Sequence, residues 1–378
     1  MTNCVYHGSM QLTIKIKLLP SDDQKKTLLR TMESFNRAAN DAAKAGFDGS
    51  VFSQPAIHGL AYYAIRDKHG LTSQLAVRAI GKAVECFKRD KRVCPVFKPR
   101  SAVVYDDRIM RFKGLSHVSL ASLDGRLLIP VVVAGYQTEK LQAAIKTGQA
   151  DLVYIQGTFY LLLSIQMPDT PLLTASGVLG VDMGVVEIAV DSEGNAYTGK
   201  DVEDYRIKTQ RMRDILQSVG TRSAKRHLRR IRNKESNYRR TKNHQISRRI
   251  VDLAKARNLS LAIEDLSGIR GRTRLVRRTQ RARMGGWAFH QLRSFLTYKA
   301  AIAGVGLVLI DPRNTSRTCS KCGHCEKSNR KSQSRFECKI CGHAENADQN
   351  AAKNIRSKGY ISVPIVTNVD QRLEPVAS

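Results

Sequence analysis

Gly177-Val178-Leu179-Gly180-Val181-Asp182-Met183-Gly184 is a short apolar run that ends on a carboxylate. Such a run, bounded by turn signals, reads as a buried strand, with Asp182 at its end. Two more strands are expected close behind, at 185–191 and 196–198, joined through Glu193-Gly194-Asn195. A long helical stretch then reaches about Arg257, and Leu259-Ser260-Leu261-Ala262-Ile263 forms the next strand and runs into Glu264. A helix carrying Trp287, Leu292, Phe295 and Leu296 precedes a last strand at 306–310. This order predicts an α/β layer. If its first and fourth strands are parallel neighbours, Asp182 and Glu264 leave the sheet at one edge. A third acid lies on the closing helix, in Asn346-Ala347-Asp348-Gln349-Asn350-Ala351-Ala352. There Asp348, Ala352 and Ile355 share a face at i, i+4 and i+7.

A carboxylate on an apolar, inward face is costly unless positive charge meets it. Three clustered carboxylates hold hard cations such as Mg²⁺, or Mn²⁺ in its place, and leave positions for water and phosphate. Two ions about 3.5–4 Å apart can activate a water and stabilise the leaving oxygen of a phosphodiester. Asp182, Glu264 and Asp348 are therefore the expected catalytic residues for hydrolysis of a nucleic-acid backbone. A single strand-ending acid is more often a cap or a solvated side chain; three in this order carry the reading. Asp265 and Asp311 are the rival ligands. Alternation puts Asp265 on the opposite side of its strand from Glu264, and both read as structural.

The charge of the chain agrees. Among 378 residues, 63 Lys+Arg against 33 Asp+Glu give a formal net charge of +30. A chain this basic repels itself, and a polyanion that releases counterions on binding is the usual compensation. Between Tyr205 and Ile250 there are sixteen Lys/Arg and two acids, and residues 268–283 hold seven arginines and no acid. Candidate nucleic-acid contacts are Arg226, Arg229, Arg230, Arg277 and Arg278, with Arg78 and Lys82 on the polar side of a helix over about 72–90. A solvated face is the ordinary account of such charges. No apolar run approaches the ~18 residues needed to span a bilayer, and no signal-peptide pattern opens the chain. The expected compartment is the cytoplasm. The first strand pattern begins at Met10, which is a candidate true start.

Cys319-Ser320-Lys321-Cys322, fifteen residues, then Cys338-Lys339-Ile340-Cys341 is the two-knuckle spacing of a zinc ribbon. Four thiolates close a tetrahedral shell, so one structural Zn²⁺ is expected there, with Gly323 and Gly342 supplying backbone freedom after each knuckle. Cys325, His324 and His343 are spare donors. Cys4, Cys86 and Cys94 are scattered and read as small buried hydrophobes. Lys327, Arg330, Lys331 and Arg335 suit a ribbon that lies over nucleic acid.

Upstream, residues 10–19 alternate as a strand that ends at Pro20, and Ser21 opens a helix. Residues 95–168 read as several strands, so a small β-barrel or sheet with an inserted helical bundle is expected. The boundaries are 1–20 with 95–170 for the β-domain, 21–94 for the helical insertion, and 171–311 with 343–358 for the α/β domain. The ribbon is 312–342, and 359–378 reads as a disordered tail.

These motifs resemble the TnpB family, transposon-encoded relatives of the compact type V CRISPR effectors. The resemblance runs from Leu12-Thr13-Ile14-Lys15-Ile16-Lys17-Leu18 through Gly180–Gly184, Ile263-Glu264-Asp265-Leu266 and Leu296-Thr297-Tyr298-Lys299-Ala300. It is densest from Asp311-Pro312-Arg313-Asn314-Thr315-Ser316 into the cysteines and the Asn346–Ala352 block. It implies a ribonuclease H-like (RuvC) nuclease domain with an inserted zinc ribbon, behind a wedge-like β-barrel with a helical recognition insertion. It implies a guide RNA, double- and single-stranded target DNA as partners and a short adjacent motif, in a prokaryotic nucleoid; the oligomeric state stays open, with a monomer slightly favoured. The family's three metal-binding acids correspond to Asp182, Glu264 and Asp348, so an active RNA-guided DNA endonuclease is expected.

The rivals are a transposase-type strand-transfer protein, a Holliday-junction resolvase and a catalytically weak guided DNA-binding regulator. Transposases of this fold typically close with Glu, whereas here Asp348 closes. A resolvase needs neither the ~170 residues ahead of a linker expected at Pro168–Ser176 nor the ribbon. Intact ligands do not exclude the regulator.

Overall fold

The computed structural model describes residues 10–184, 186–266 and 289–362. The chain divides into two compact units, residues 8–169 and the part from Thr170 onward.

The first unit is a seven-stranded sheet and three packed helices. The strand β1 (Met10–Leu18) alternates buried Ile14, Ile16 and Leu18 with exposed Lys15 and Lys17. It is followed by α1 (Asp22–Asp48), α2 (Gln54–His69) and α3 (Ser73–Arg89). Ser21 and Gln24 close a capping box at the start of α1, each side chain accepting from the other's backbone N–H. The strands β2 (Val103–Tyr105), β3 (Met110–Lys113), β4 (His117–Ser122) and β5 (Gly125–Val132) come next. After the short helix α4 (Gly135–Ala143), β6 (Lys146–Ile155) and β7 (Thr158–Met167) complete the sheet. The order is β2-β6-β7-β1-β5-β4-β3, antiparallel between all neighbours. The expected barrel is an open one: no ladder joins β2 to β3 among the described residues. The buried Tyr105 hydroxyl instead donates to the carbonyl of Ala121 on β4 (2.8 Å).

Two helical regions were expected ahead of the strands, and three helices are present. The sequence pattern does not announce α2, because its buried stripe, Ile57, Ala61 and Ile65, is thin and Leu60 and Tyr63 point outward. Nor does it announce β4, whose inward residues Val118 and Leu120 are few, or α4, which buries nothing.

The second unit is a three-layer α/β/α arrangement. Its five-stranded sheet runs β10-β9-β8-β11-β12, from β8 (Gly177–Asp182), β9 (Glu187–Asp191), β10 (Ala196–Thr198), β11 (Leu259–Glu264) and β12 (Leu307–Ile310). β8, β11 and β12 are parallel, whereas β9 and β10 are antiparallel additions. The helices α5 (Lys200–Val219), α6 (Arg222–Ile231) and α7 (Lys234–Ala256) connect the two parts. On one face of the sheet, α7 and α8 (Phe289–Ala303) cover Leu179, Val181, Leu261 and Ile263 with Ile246, Ile250, Leu292 and Leu296. On the other, the closing helix α9 (Ala347–Ser362) places Ile355 among Val178, Ala262, Val308 and Ile310.

The helix α9 lies unusually close to β8. A β-carbon at Gly180 would run into the carbonyl of Ala352 and the backbone of Arg356. At Gly359 it would sit 2.6 Å from the Ala262 β-carbon and 2.8 Å from Val178 Cγ1. Glycine on both partners therefore lets the backbones approach. The expected loss of helical pattern at 359 is corrected by this packing: the helix continues to Ser362, because Gly359 is what its contact with the sheet requires. Trp287 and residues 363–378 lie outside the described residues.

Candidate functional site

Strand alternation decides which side chains meet. On β8, Val178, Gly180 and Asp182 face α9; on β11, Ala262 and Glu264 do. The last registered pair of these strands is Val181 with Ile263, so Asp182 and Glu264 come one residue later on neighbouring parallel strands. On α9, Ala352 lies over Gly180 and Asp348 one turn nearer the N-terminus, on the same buried face. Asn346 caps that helix, its side-chain oxygen accepting from the backbone N–H of Asp348 (2.9 Å) and of Gln349 (3.3 Å). The three acids named from the sequence thus gather at the carboxyl end of the parallel strands.

Their charges feel one another. Asp182 is half-buried, and its carboxyl is pushed up to about 8, first by burial and then by the negative fields of Glu264 and Asp348. Glu264 is raised by burial, with the hydroxyl of Thr315 (2.5 Å) and the nearby Lys358 pulling the other way. Asp348 is also raised by burial, and Arg330 opposes the rise through an ion pair of 3.0 Å. Three desolvated acids with so little compensating charge fit hard cations. Their oxygens are spread more widely than a closed single-ion shell: among the described residues, only the four cysteines bring three or more such ligand atoms within 4.8 Å of one another.

Those cysteines are Cys319, Cys322, Cys338 and Cys341. The Sγ atoms of Cys319 and Cys341 are 3.7 Å apart, and those of Cys322 and Cys338 are 3.6 Å apart. Tetrahedral zinc with bonds of about 2.3 Å separates its sulfurs by roughly 3.8 Å, so the donor set fits. The two knuckles repeat one geometry. Gly323 and Gly342 take φ of +77° and +67°, and their N–H groups return to the carbonyls of Cys319 and Cys338. Backbone N–H groups of Cys341 and Ile340 pull the Cys338 thiol down, the direction that favours a thiolate. The spare donors stand apart: His324 pairs with Glu326 (3.2 Å), His343 with Glu345 (2.9 Å), and Cys325 is exposed. Cys86 and Cys94 are half-buried rather than fully buried, and Cys4 lies outside the described residues.

The rival acids have other partners. Asp265 pairs with Arg293 (2.5 Å), and Asp311 lies 3.6 Å from Arg313. Among the candidate nucleic-acid contacts, Arg226, Arg229 and Arg230 lie exposed on α6, a helix without an acid. Arg78 is paired with buried Asp106, its Nε at 2.7 Å. Lys82 donates to Asn36 Oδ1 and the carbonyl of Ala102, each at 2.6 Å, and burial lowers it to about 8. Both cations are thus committed within their own unit. Arg277 and Arg278 lie outside the described residues. Two residues at the acids escape a reading of the sequence. Arg330 reads as part of the ribbon's basic surface but turns inward to Asp348, and Thr315 lies inside a matched motif with no role attached. Nothing local in the chain announces either contact, since the partners are 51 and 18 positions apart.

Residues 289–355 match the family model described as "Cas12f1-like, TNB domain". A "CRISPR-associated endodeoxyribonuclease Cas12f1" from Sulfoacidibacillus thermotolerans is 27% identical over 79% of this chain and 80% of its own. The "TnpB-like protein MJ0751" of Methanocaldococcus jannaschii is 32% identical over 21% of this chain and 29% of its own. In fold, the chain is similar to that in a structure titled "Cryo-EM structure of the Cas12f1-sgRNA-target DNA complex", with a TM-score of 0.59 at 15% identity over 88% of this chain and 83% of that one. The chain is thus similar in sequence to compact type V effectors and, over a fifth of its length, to a TnpB-like protein, and similar in fold to a solved Cas12f1.

Proposed function

We propose that this chain is an RNA-guided DNA endonuclease that cuts target DNA beside a short adjacent motif. The observation that carries the reading is the convergence of Asp182, Glu264 and Asp348 from two parallel strands and one helix. The relatives named for endodeoxyribonuclease activity, and the solved complex with guide RNA and target DNA, support the choice of substrate. The net charge of +30 suits a protein that works between two polyanions.

In this reading, the unit at 8–169 is the wedge-like β-domain with its helical recognition insertion. Residues 171–311, with the closing helix, form the RuvC-like nuclease domain, and 312–342 form the zinc ribbon. Divalent ions, Mg²⁺ or Mn²⁺, would supply an activated water and a stabilised leaving oxygen. The chain's own residues prepare the place. Thr315 fixes one oxygen of Glu264, and Arg330 holds Asp348 against the ribbon. Asp182 keeps a proton near neutral pH in the cation-free chain and gives it up where positive charge arrives. Base pairing with the guide would read the sequence while the protein reads backbone and adjacent motif.

The test uses the protein with the RNA that co-purifies with it, a plasmid carrying the matching target, and either Mg²⁺ or EDTA. Cleavage that requires both RNA and metal is expected. Binding without cleavage would make the chain a guided regulator, and joined DNA ends would make it a strand-transfer protein.

A further inference from the structure

The stretch that leads from β12 into the first cysteine knuckle is held from α9. Asn354, buried, donates its side-chain amide to the carbonyls of Thr315 (2.8 Å) and Thr318 (2.7 Å). Asn350, fully buried, donates to the carbonyl of Thr318 (2.8 Å) and accepts from the backbone N–H of Ser320 (2.9 Å). Ser320 lies beside Cys319, so these amides tie the closing helix to the zinc knuckle itself. At one end of the clamp is Thr315, also buried, with its hydroxyl 2.5 Å from Glu264 Oε1 and 3.0 Å from the carbonyl of Pro312.

A hydroxyl has one proton to give, and an ionised carboxylate is the stronger acceptor. The shorter contact therefore takes it. Engaging Oε1 restricts rotation of the Glu264 carboxylate and leaves Oε2 as the oxygen that Thr315 does not use. A valine would fill the same volume, so packing alone does not call for a hydroxyl here. Two buried amides are used on the carbonyls of one loop, which fixes the height of Thr315 above the strand end.

We propose that Thr315 is a positioning residue for Glu264, and that Asn350 and Asn354 make the ribbon's stem and the carboxylate site one mechanical unit. The inference rests on reading the three acids as a cation site. Its consequence is that the zinc ribbon helps to build the nuclease centre, through a hydroxyl that touches a ligand and not the ion.

The test is an electron paramagnetic resonance titration with Mn²⁺, which reports uptake without any cleavage. It uses the full chain with its co-purified RNA, and Glu264→Gln carrying the same RNA is the blank. Thr315→Val should weaken the Glu264-dependent uptake about tenfold, the scale of losing a hydrogen bond to a metal ligand. Thr315→Ser should restore it, and Asn354→Leu should fall in the same direction as Thr315→Val. Zinc content should stay at one equivalent in all of them. Unchanged uptake by Thr315→Val would overturn the proposal, and so would Thr315→Ser falling as far as Thr315→Val. Wild-type uptake no greater than the blank would instead remove the cation reading, and Thr315 would have nothing to position.

Discussion

Asp182 sits at the centre of the site electrostatically, since burial and both other acids act on it in the same direction. Replacing it with Ala removes a carboxylate from the proposed cation site without touching the exposed arginines. Cleavage by Asp182→Ala should fall by two to three orders of magnitude or more, about what loss of one transition-state-stabilising group costs. The RNA that co-purifies should be retained; its loss would show that the acid serves folding or RNA binding instead. The raised acids also make a pH prediction. With the folded carboxyl near 8 and an ordinary value near 4, the folded chain holds a proton that the unfolded chain releases between those values. Stability of the cation-free protein should therefore fall as pH rises through that window, and Glu264 and Asp348 act in the same sense. Mg²⁺ should raise the melting temperature more at pH 8 than at pH 5 in scanning calorimetry. Asp182→Asn should flatten the pH dependence, and an equal Mg²⁺ effect at both pH values would contradict the account.

At the scale of elements, the approach of α9 to β8 delivers Asp348 to the strand ends. Gly180 faces the backbone of that helix, so a methyl group there cannot be absorbed by a side-chain rotation. Gly180→Ala should cost about 3 kcal/mol of stability, the upper range for overpacking. Urea denaturation would measure it, and a neutral result would mean that the helix shifts freely. The helix boundaries show how far sequence patterns carry. β8 was legible to the residue because an apolar run bounded by Gly and an acid has few readings, and β10 because turn residues Asn195 and Gly199 bound it. α2 and the end of α9 were not. The first leaves Leu60 and Tyr63 exposed beside a thin buried stripe, and the second keeps a glycine whose purpose lies on another element.

For the whole molecule, the surplus of positive charge matters more than any one side chain. Arg226, Arg229 and Arg230 are exposed on a helix without acids, whereas Arg78 and Lys82 are held inside their unit. Guide-RNA affinity should fall steeply with salt, and each α6 arginine that meets a phosphate should carry part of the slope. Arg226→Ala with Arg229→Ala should lower the slope of log affinity against log salt by about one for each phosphate no longer neutralised. Arg78→Ala should leave the slope unchanged and lower stability instead. Filter binding across a salt series distinguishes these outcomes.

The chain's sequence by itself determined which groups are on offer: three acids at the ends of patterned elements, four thiols at knuckle spacing, and a charge that suits a polyanion. Period and spacing are local, so they survive without a fold. Only the tertiary structure decided what surrounds those groups. The hydroxyl on Glu264, the guanidinium on Asp348 and the glycine contacts beneath α9 join residues that are 51, 18 and about 170 positions apart. No repeat or spacing encodes such a contact, because it exists only once the sheet, the ribbon stem and the last helix have packed.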